Sequence, residues 1–524
     1  MSEEVVLEYQ NTYVDTRGAI TEEMPFTKAL VKGLAPSGGL YVPKVVPRLA
    51  LEDITDFASE PYAVRAAAIF KAFGVDLPEA TIDACTADAY GSNFDTPLIT
   101  PIRSWDDKTH ILELFHGPTL AFKDMALQCM PRFFSASIDS LRAHGALEAA
   151  EDFLILVATS GDTGKAALEG FSDRAHTSII VYYPYGGVSD LQQAQMLATK
   201  GDNVYVYGLQ GNFDDCQTAV KQAFSDPVFA EQLAIEHNLR LSSANSINWG
   251  RLMPQVVYYV SAYAQMVQSG AIEAGESIDV CVPTGNFGNI LAAWYAAEIG
   301  TPIERLLCAS NSNKVLTDFI NTGVYDITDR PFVVTPSPSM DILVSSNLER
   351  QLFELNGRNG EQIAEWMRSL NKERRFKVDK ETFAALRKRF SADWVSVDES
   401  LATIKEVYEQ RHYVLDPHTA VAYKVAERLR GPNPVLIAST AHWCKFGADV
   451  YRGLTGIKAN EALPDELAAL NGFELNRHIS EHFTYAGEVP QRMAELEGEP
   501  LRFGEVCGAS RDAVEQSVKE FLQK

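Results

Sequence analysis

Residues 153–171 read FLILVATSGDTGKAALEGF, which is an apolar run, a turn rich in glycine and hydroxyl residues, and a helical pattern. An unbroken apolar run is typical of a strand that is buried on both faces, as in a parallel sheet. The first N–H groups of the following helix have no intrahelical acceptor and would point into the turn. The stretch therefore predicts one strand–turn–helix unit of an α/β fold, with a turn suited to an anion.

The same order of apolar run and amphipathic stretch recurs from about residue 96 onward. The predicted strands are Ile111–Phe115, Phe153–Ala158, Ser178–Tyr183, Asn203–Tyr207, Ile278–Pro283, Arg305–Ala309 and Pro434–Ala438. The predicted helices include Lys165–Phe171, Leu191–Thr199, Met253–Ser269 and Ile290–Ile299. This alternation favours a mostly parallel α/β sheet. The chain has 524 residues, more than one core usually supports, so we expect two or three lobes.

Composition changes along the chain suggest its division into domains. Residues 1–95 are rich in glycine and proline breakers and are expected to form an N-terminal domain. We expect residues 96–460 to form the core, with a charged, mainly helical insertion or lid near 349–412 that has little strand character. Residues 461–524 show a helical pattern and are expected to form a C-terminal tail.

Charge and cysteine content limit the class of function. The chain carries 46 Lys+Arg against 70 Asp+Glu, a net charge of −24, which disfavours binding to nucleic acid or an anionic membrane surface. An anionic substrate would need a local basic pocket. The 7 cysteines include no C-x-x-C pair, and no apolar stretch reaches the ~18–20 residues of a membrane span. We therefore expect no structural metal and a cytoplasmic protein, either a monomer or a small homo-oligomer.

A lysine follows the first predicted strand of the core. Residues 116–124 read HGPTLAFKD and place Lys123 at a strand-to-helix junction, where ligands bind in α/β sheets. Apolar neighbours would favour the neutral amine that imine chemistry requires. The alternative is an ordinary lysine at a helix start, with its stem packed and its head in water.

Two turns could bind anions. The first, residues 159–165, is not a P-loop, because Thr159 and Ala166 stand where that motif needs Gly and Ser or Thr. The second, PTGNFGN at residues 283–289, lacks the full dinucleotide spacing, but its glycines allow close approach to an anion at a helix N-terminus. Each turn alone could equally be a plain connection, with Ser160 or Asp162 as a helix cap in the first.

Two further segments carry candidate ligands. In Ser439-Thr440-Ala441-His442, the Thr440 hydroxyl could hydrogen-bond an aromatic ring nitrogen, whereas His442 and Cys444 are more typical of packed structural residues. Asn248 and Arg251 are three positions apart and would share a helix face, and Arg suits a phosphate or carboxylate. A surface salt bridge is the alternative interpretation of Arg251.

Taken together, these segments resemble the threonine synthase family. HGPTLAFKD resembles its cofactor-lysine motif, ATSGDTG its substrate-side loop, PTGNFGN its glycine-rich loop, and STAH its threonine motif. YVDTRG and GLAPSGGLYVP, near the N-terminus, resemble the family's N-terminal domain. The motifs stand in the same order over roughly residues 5–450, which is far more specific than any one of them.

The resemblance implies the pyridoxal-phosphate fold type II, with two mostly parallel α/β lobes and an added N-terminal domain. It implies that O-phospho-L-homoserine and water are converted to L-threonine and phosphate, with pyridoxal phosphate bound to Lys123. The remaining implied residues are Gly285, Asn286, Phe287, Gly288 and Asn289 for the cofactor phosphate, Thr440 for its ring nitrogen, Ser160, Gly161, Asp162 and Thr163 for the substrate carboxylate, and Asn248 and Arg251 for the substrate phosphate.

Two other functions stay open. The placement of water decides whether the same fold makes threonine or hydrolyses the intermediates to 2-oxobutyrate as a phospholyase. A non-catalytic ligand-binding relative is the third possibility. The presence of Lys123, the glycine-rich loop and Thr440 argues against it.

Overall fold

The strands of the computed structural model, which describes residues 11–18 and 23–523, form two large sheets and two small ones. Residues 1–10 and 19–22 of the expected N-terminal domain lie outside the described part. The strands are β1 (Tyr13–Asp15), β2 (Tyr41–Pro43), β3 (Ile102–Asp106), β4 (Thr109–Glu113), β5 (Asp152–Ala158), β6 (Thr177–Pro184), β7 (Val204–Gln210), β8 (Leu239–Ser242), β9 (Ile278–Pro283), β10 (Ile303–Ser310), β11 (Val324–Asp326), β12 (Arg375–Lys377), β13 (Phe390–Trp394), β14 (Val435–Ser439) and β15 (Val506–Gly508).

Helices cover both large sheets and connect their strands. They are α1 (Phe26–Lys32), α2 (Leu51–Asp56), α3 (Tyr62–Ala72), α4 (Glu79–Ala89), α5 (Lys123–Leu127), α6 (Met130–Ala143), α7 (Asp162–Phe171), α8 (Asp190–Leu197), α9 (Phe213–Phe224), α10 (Pro227–His237), α11 (Trp249–Gln268), α12 (Gly288–Glu298), α13 (Val315–Thr322), α14 (Leu348–Leu355), α15 (Gly360–Glu373), α16 (Lys380–Arg389), α17 (Val397–Arg411), α18 (Pro417–Arg428), α19 (Gly447–Thr455), α20 (Asp465–Ala468), α21 (Gly472–His482), α22 (Gln491–Ala494) and α23 (Arg511–Phe521).

The two large sheets are the centres of two lobes. One has the order β13-β10-β9-β14-β4-β3 and is parallel except for β3, which runs antiparallel to β4. The other has the order β15-β7-β6-β5-β8 and is parallel throughout. β9 and β14 are buried at every position, as expected for strands covered on both faces. The predicted α/β class with two mostly parallel lobes is confirmed.

The predicted strands and helices of the core are all present; β9 has the predicted bounds, and the ends of the others are shifted. β4 ends two residues before the predicted Phe115, at Glu113. α11 begins four residues before the predicted Met253, at Trp249, because Asn248 caps it and Pro254 is accommodated inside the helix. The strand–turn–helix unit at 153–171 consists of β5 and α7.

Residues 349–412 are mainly helical but contain two short strands. β12 pairs with β11, and β13 pairs in parallel with β10 at the edge of the six-stranded sheet. β13 has only Phe390 and Ala392 as buried apolar residues, and it follows the charged helix α16 without a break. Its alternating pattern is therefore too short to stand out in the sequence.

The C-terminal tail is not wholly helical. β15 pairs in parallel with β7 and extends the five-stranded sheet by one edge strand. α23 buries Val514 and Val518 in the apolar cluster of the same lobe, and Ser517 hydrogen-bonds the hydroxyl of Tyr182 at 2.9 Å. The end of the described chain is thus built into the smaller lobe.

The N-terminal segment is tied to the segment that carries α14. Arg17 binds the Glu349 carboxylate through Nε at 2.9 Å and Nη2 at 2.8 Å, and Thr16 donates to the same carboxylate at 2.6 Å. The two small strands β1 and β2 pair antiparallel beside these contacts. Across the described residues, no helix combines the length and hydrophobicity needed to cross a membrane.

Candidate active site

Lys123 opens α5 at the carboxyl end of the larger sheet. Two backbone hydrogen bonds join the loop before it to the loop after β14: Phe122 N donates to Thr440 O at 2.8 Å, and His442 N donates to Leu120 O at 3.1 Å. Because β4 and β14 are neighbours in the sheet, these bonds fix Lys123 and Thr440 at one edge. The sequence motifs that contain them are therefore brought together.

The Lys123 amine is buried. Its side chain is 9% exposed, and Nζ donates to Ser339 Oγ at 3.3 Å. Burial lowers its pKa to about 8; the Asp162 carboxylate opposes this, and the cations Arg251 and Lys445 add to it. At pH 7 about one tenth of Lys123 is therefore the free amine that can attack an aldehyde, far more than for an ordinary lysine.

Asp162 is held inside a polar network beside Lys123. Its Oδ2 accepts from Ser339 Oγ at 3.2 Å, and its Oδ1 accepts from Gln192 at 3.1 Å and pairs with Lys445 at 3.1 Å. Burial alone would raise the pKa of Asp162, but the charges of Lys445 and Lys123 lower it well below its usual range. Two carboxylates would repel, so the predicted contact of Asp162 with a substrate carboxylate would be made by its backbone N–H rather than by its side chain.

The backbone of the turn before α7 keeps the predicted capacity for an anion. Thr159 Oγ1 accepts from the N–H groups of Gly161 at 3.0 Å and Gly164 at 2.8 Å, which fixes the turn. Gly161 has φ 127°, and a Cβ there would lie 2.6 Å from the Gln192 side chain, so glycine is required. The other first-turn N–H groups, which include those of Asp162 and Thr163, have no intrahelical acceptor.

The glycine-rich loop lies between β9 and α12 and is clamped by the segment before α14. Ser345 Oγ donates to Gly285 O at 2.7 Å, and Asn347 N donates to Asn286 O at 3.0 Å. A Cβ at Gly285 would lie 2.5 Å from Ser339 O, so any larger residue would displace the loop. Phe287, with φ 64°, is the N-cap of α12, which begins at Gly288.

Two buried donors without acceptors lie in the first turns of α12 and α11. Asn289 Oδ1 accepts from Tyr258 Oη at 2.8 Å and from Tyr259, which leaves Asn289 Nδ2 buried without a partner among the described residues. Arg251 donates Nη1 to Ala244 O at 2.6 Å, while its Nε has no partner there. Burial lowers the pKa of Arg251 to about 10. Such donors beside a helix N-terminus form a site for an anion.

The Thr440 side chain is 5% exposed, and its hydroxyl makes no hydrogen bond within residues 11–18 and 23–523. It can therefore bond an incoming ring nitrogen. Burial lowers the pKa of His442 to about 4, and His442 Nδ1 accepts from Cys444 N at 3.3 Å. Burial also raises the pKa of the Cys444 thiol to about 12. Both residues therefore have the packed, structural surroundings expected of them.

Asn248 has a structural role rather than the predicted substrate contact. Its Oδ1 accepts from Gly250 N at 2.9 Å and caps α11. Its Nδ2 donates to Leu30 O at 2.9 Å and to Ser243 O at 3.2 Å. Both N–H groups of the Asn248 amide are used in these bonds, so the amide cannot donate to an anionic ligand.

Comparison with known families assigns this arrangement. The family model for pyridoxal-phosphate dependent enzymes matches residues 95–440, that for the threonine synthase N terminus matches residues 12–90, and that for the threonine synthase C-terminal region matches residues 419–482. Threonine synthase of Pseudomonas aeruginosa is 38% identical over 87% of this chain and 93% of its own length. The chain belongs to the threonine synthase family.

Other members of the threonine synthase family extend this likeness. Human threonine synthase-like 1 is 40% identical over 98% of the chain, which spans 69% of the human protein's length. A pyridoxal-phosphate-bound threonine synthase structure from Brucella melitensis matches with a TM-score of 0.82 and 36% identity, over 98% of this chain and 100% of that one. The yeast threonine synthase structure has a TM-score of 0.83 and 31% identity, over 98% and 99%.

Pyridoxal phosphate is the cofactor of this family, and the described residues fit it. Lys123 offers a buried amine of lowered pKa, Asn289 of the glycine-rich loop has a buried Nδ2 without a partner among the described residues, and the Thr440 hydroxyl is open to a ring nitrogen. These three features match the aldehyde, an anionic group and the pyridine nitrogen of the cofactor. The predicted cofactor is thereby confirmed as a family property.

Sequence reasoning missed Ser339 and Lys445. Ser339 lies in the proline- and serine-rich stretch TPSPSMD, which is typical of a loop and carries no motif. Lys445 is 1% exposed and also donates to Thr119 O at 2.8 Å and Gln195 Oε1 at 3.0 Å. The apolar context of Lys445, in Trp443-Cys444-Lys445-Phe446, could have indicated that this lysine is buried. A buried lysine almost always has a partner, so the context also indicates a buried ion pair.

Proposed function

We propose that this chain is a threonine synthase, which converts O-phospho-L-homoserine and water to L-threonine and phosphate by β,γ-elimination and replacement. The observation that supports this most directly is the buried amine of Lys123 beside the unpaired cation of Arg251. The substrate carries both a carboxylate and a phosphate. Because the chain has a net charge of −24, it would repel such a dianion overall. A local cationic pocket is therefore needed to bind it.

The two ends of the substrate are assigned to different groups. Arg251 is proposed to bind the substrate phosphate, because its guanidinium is buried and pairs with no carboxylate among the described residues. The substrate carboxylate is assigned to the backbone of Ser160–Thr163, at the N-terminus of α7, rather than to the Asp162 side chain. This division leaves the reacting carbons between the two anionic ends, near Lys123.

Bound pyridoxal phosphate supplies an electron sink for negative charge that develops on the substrate carbons. Lys123 holds the cofactor and, once the substrate has displaced its amine, moves protons between those carbons. The Ser339 hydroxyl at 3.3 Å gives the released amine a fixed hydrogen-bond partner. Thr440 presents a neutral hydroxyl to the ring nitrogen, in contrast to a carboxylate that would keep that nitrogen protonated.

A product assay tests the proposal. Purified protein with its cofactor is given O-phospho-L-homoserine, released phosphate is measured, and the organic product is identified by mass spectrometry. We expect equal amounts of phosphate and threonine, with both lost in Lys123→Ala and kept in the surface control Lys372→Ala. Phosphate with 2-oxobutyrate and no threonine would instead identify a phospholyase, and fully loaded protein that releases no phosphate would contradict both activities.

The proposed reaction places the protein in amino-acid biosynthesis, as the last step to threonine. A cytoplasmic location and a monomeric or small homo-oligomeric state remain predictions from the sequence, as do the domain boundaries at residues 95, 349–412 and 460.

A further inference from the structure

Asn347 is a fully buried amide whose orientation is fixed. It precedes α14 as its N-cap and is 0% exposed. Its Oδ1 accepts from Arg350 Nη1 at 2.6 Å. A guanidinium can only donate, so the atom that faces Arg350 must be the amide oxygen. The Asn347 Nδ2 group therefore points away from Arg350, and it has no hydrogen-bond partner among the described residues.

The unpartnered Nδ2 lies at the N-terminus of α12. A Cβ at Gly288, the first residue of that helix, would be 3.4 Å from Asn347 Nδ2. The backbone N–H of Asn347 donates to Asn286 O at 3.0 Å, which holds the two segments together. An α-helix N-terminus carries partial positive charge and orphan N–H groups. Asn289, in the first turn of α12, contributes a second buried Nδ2 without a partner.

Arg350 adds a buried positive charge behind the amide. It donates to Tyr41 O at 2.9 Å and Ile247 O at 2.6 Å, both neutral carbonyls, and burial lowers its pKa to about 10. No carboxylate pairs with it in residues 11–18 and 23–523. The unpartnered Asn347 Nδ2 thus lies at a helix N-terminus, with this cation behind its amide, and Asn289 in the same first turn has a second buried donor. A buried donor without an acceptor is costly, so the arrangement calls for a ligand whose oxygens only accept.

We propose that Asn347 is a further phosphate-binding residue, which donates from Nδ2 to a phosphate oxygen at the N-terminus of α12. The ligand chemistry is a phosphate monoester, and pyridoxal phosphate and the phosphorylated substrate both carry one. The inference rests on the proposed function only for the second of these sources. Asn347 binds an oxygen of the phosphate and takes no part in proton transfer.

Asn347→Asp separates this role from a structural one. The aspartate keeps an oxygen facing Arg350 and adds an ion pair, so a purely structural Asn347 would be replaced without loss. If Nδ2 binds phosphate, the variant instead presents a carboxylate oxygen to that anion. We expect the dissociation constant of the phosphate ligand to rise by about a hundredfold in Asn347→Asp and about tenfold in Asn347→Ala. Asn356→Asp, just beyond the other end of α14, is the matched control and should bind like the wild type.

Three titrations identify the ligand. The apoenzyme is titrated with pyridoxal phosphate and with pyridoxal, which lacks the phosphate, and the holoenzyme is titrated with inorganic phosphate. Weaker binding of pyridoxal phosphate, with pyridoxal unchanged, supports the cofactor phosphate. Weaker binding of inorganic phosphate to the holoenzyme, with the cofactor unaffected, supports the substrate phosphate.

Wild-type values in all three titrations of Asn347→Asp would overturn the inference. That result differs from a failure of the proposed function. If the proposed function failed, the wild-type holoenzyme would bind its cofactor at Lys123 and yet release no phosphate from O-phospho-L-homoserine.

Discussion

Lys445→Met removes the buried cation that pairs with Asp162, and its effect can be worked out from the site. Lys445 is 1% exposed and donates to three acceptors: the Asp162 carboxylate, Thr119 O and Gln195 Oε1. Methionine fills a similar volume but leaves the Asp162 carboxylate buried without its main partner. Removal of one member of a buried ion pair typically costs about 3–5 kcal/mol of the free energy of unfolding.

The same substitution changes the protonation of Lys123. Lys445 repels the Lys123 ammonium, and Asp162 attracts it. Loss of Lys445 therefore stabilises the ammonium twice, by removing the repulsion and by freeing the Asp162 charge. With a pKa of about 8, roughly one tenth of wild-type Lys123 is neutral at pH 7. Each ~1.4 kcal/mol by which the ammonium form is stabilised reduces the neutral fraction about tenfold. The interaction with one nearby charge, such as that of Lys445, is about this large.

The rate at which the apoenzyme binds pyridoxal phosphate measures the fraction of Lys123 that is neutral. Apoenzyme is mixed with pyridoxal phosphate between pH 6 and 10, and the growth of the visible absorbance band is followed. We expect the wild-type rate to rise with pH and to level off above about pH 8, where Lys123 becomes neutral. Lys445→Met should react about tenfold more slowly at pH 7, level off at a higher pH, and approach the wild-type rate at pH 10.

A double variant serves as the control that distinguishes the charge effect from general damage to the fold. In Asp162→Asn with Lys445→Met, Lys123 loses both the attraction and the repulsion, so its profile should return toward that of the wild type. A Lys445→Met protein with the wild-type pH profile, or with a profile displaced to lower pH, would refute the reasoning about charge at this site.

Three other predictions follow from single contacts. Gly285→Ala places a Cβ 2.5 Å from Ser339 O and should weaken pyridoxal phosphate binding roughly tenfold, as measured by titration of the apoenzyme. Burial raises the pKa of Asp124 to about 6, above its unfolded value, so its proton is held more tightly in the folded state. The free energy of unfolding of the wild type, relative to Asp124→Asn, should therefore fall by up to about 3 kcal/mol as the pH rises from 4 to 7 in urea titrations; a difference that grows over this range would contradict it. Arg251→Met should raise KM for O-phospho-L-homoserine about 10- to 100-fold in steady-state assays, and an unchanged KM would remove Arg251 from the phosphate site.

The candidate site residues that the structure brings together as the sequence predicts are those that follow a strand in the local pattern. Thr440 and the glycine-rich loop directly follow buried strands, and Lys123 opens the first helix after β4. Because parallel strands share one carboxyl edge, the sequence order was enough to bring them together. No knowledge of side-chain contacts was needed for that step.

The remaining site residues depend on contacts between distant parts of the chain. Ser339 is 216 positions from Lys123 and 177 from Asp162, yet its hydroxyl lies between the two. Nothing in a local pattern predicts such a contact. For Asn248 the local pattern is present but ambiguous, because an Asn before a helix can either cap the helix or bind a ligand. Only its three hydrogen-bond partners in the structure show that it is the cap.

The electrostatics of the site favour an anionic ligand although the protein as a whole is acidic. Four basic side chains, Lys123, Arg251, Arg350 and Lys445, are each less than 10% exposed, and in the described part of the chain only Lys445 pairs with a carboxylate. Unpaired buried cations are costly in the free protein, and an anion that enters is paired without having to displace an internal partner. The Asp162 carboxylate is held by Lys445 and Ser339, where it moderates the pKa of Lys123. Burial and the neighbouring cations thus lower the pKa of Lys123 toward neutrality, and Asp162 limits that shift while its pairing with Lys445 leaves the Arg251 guanidinium without a carboxylate partner among the described residues.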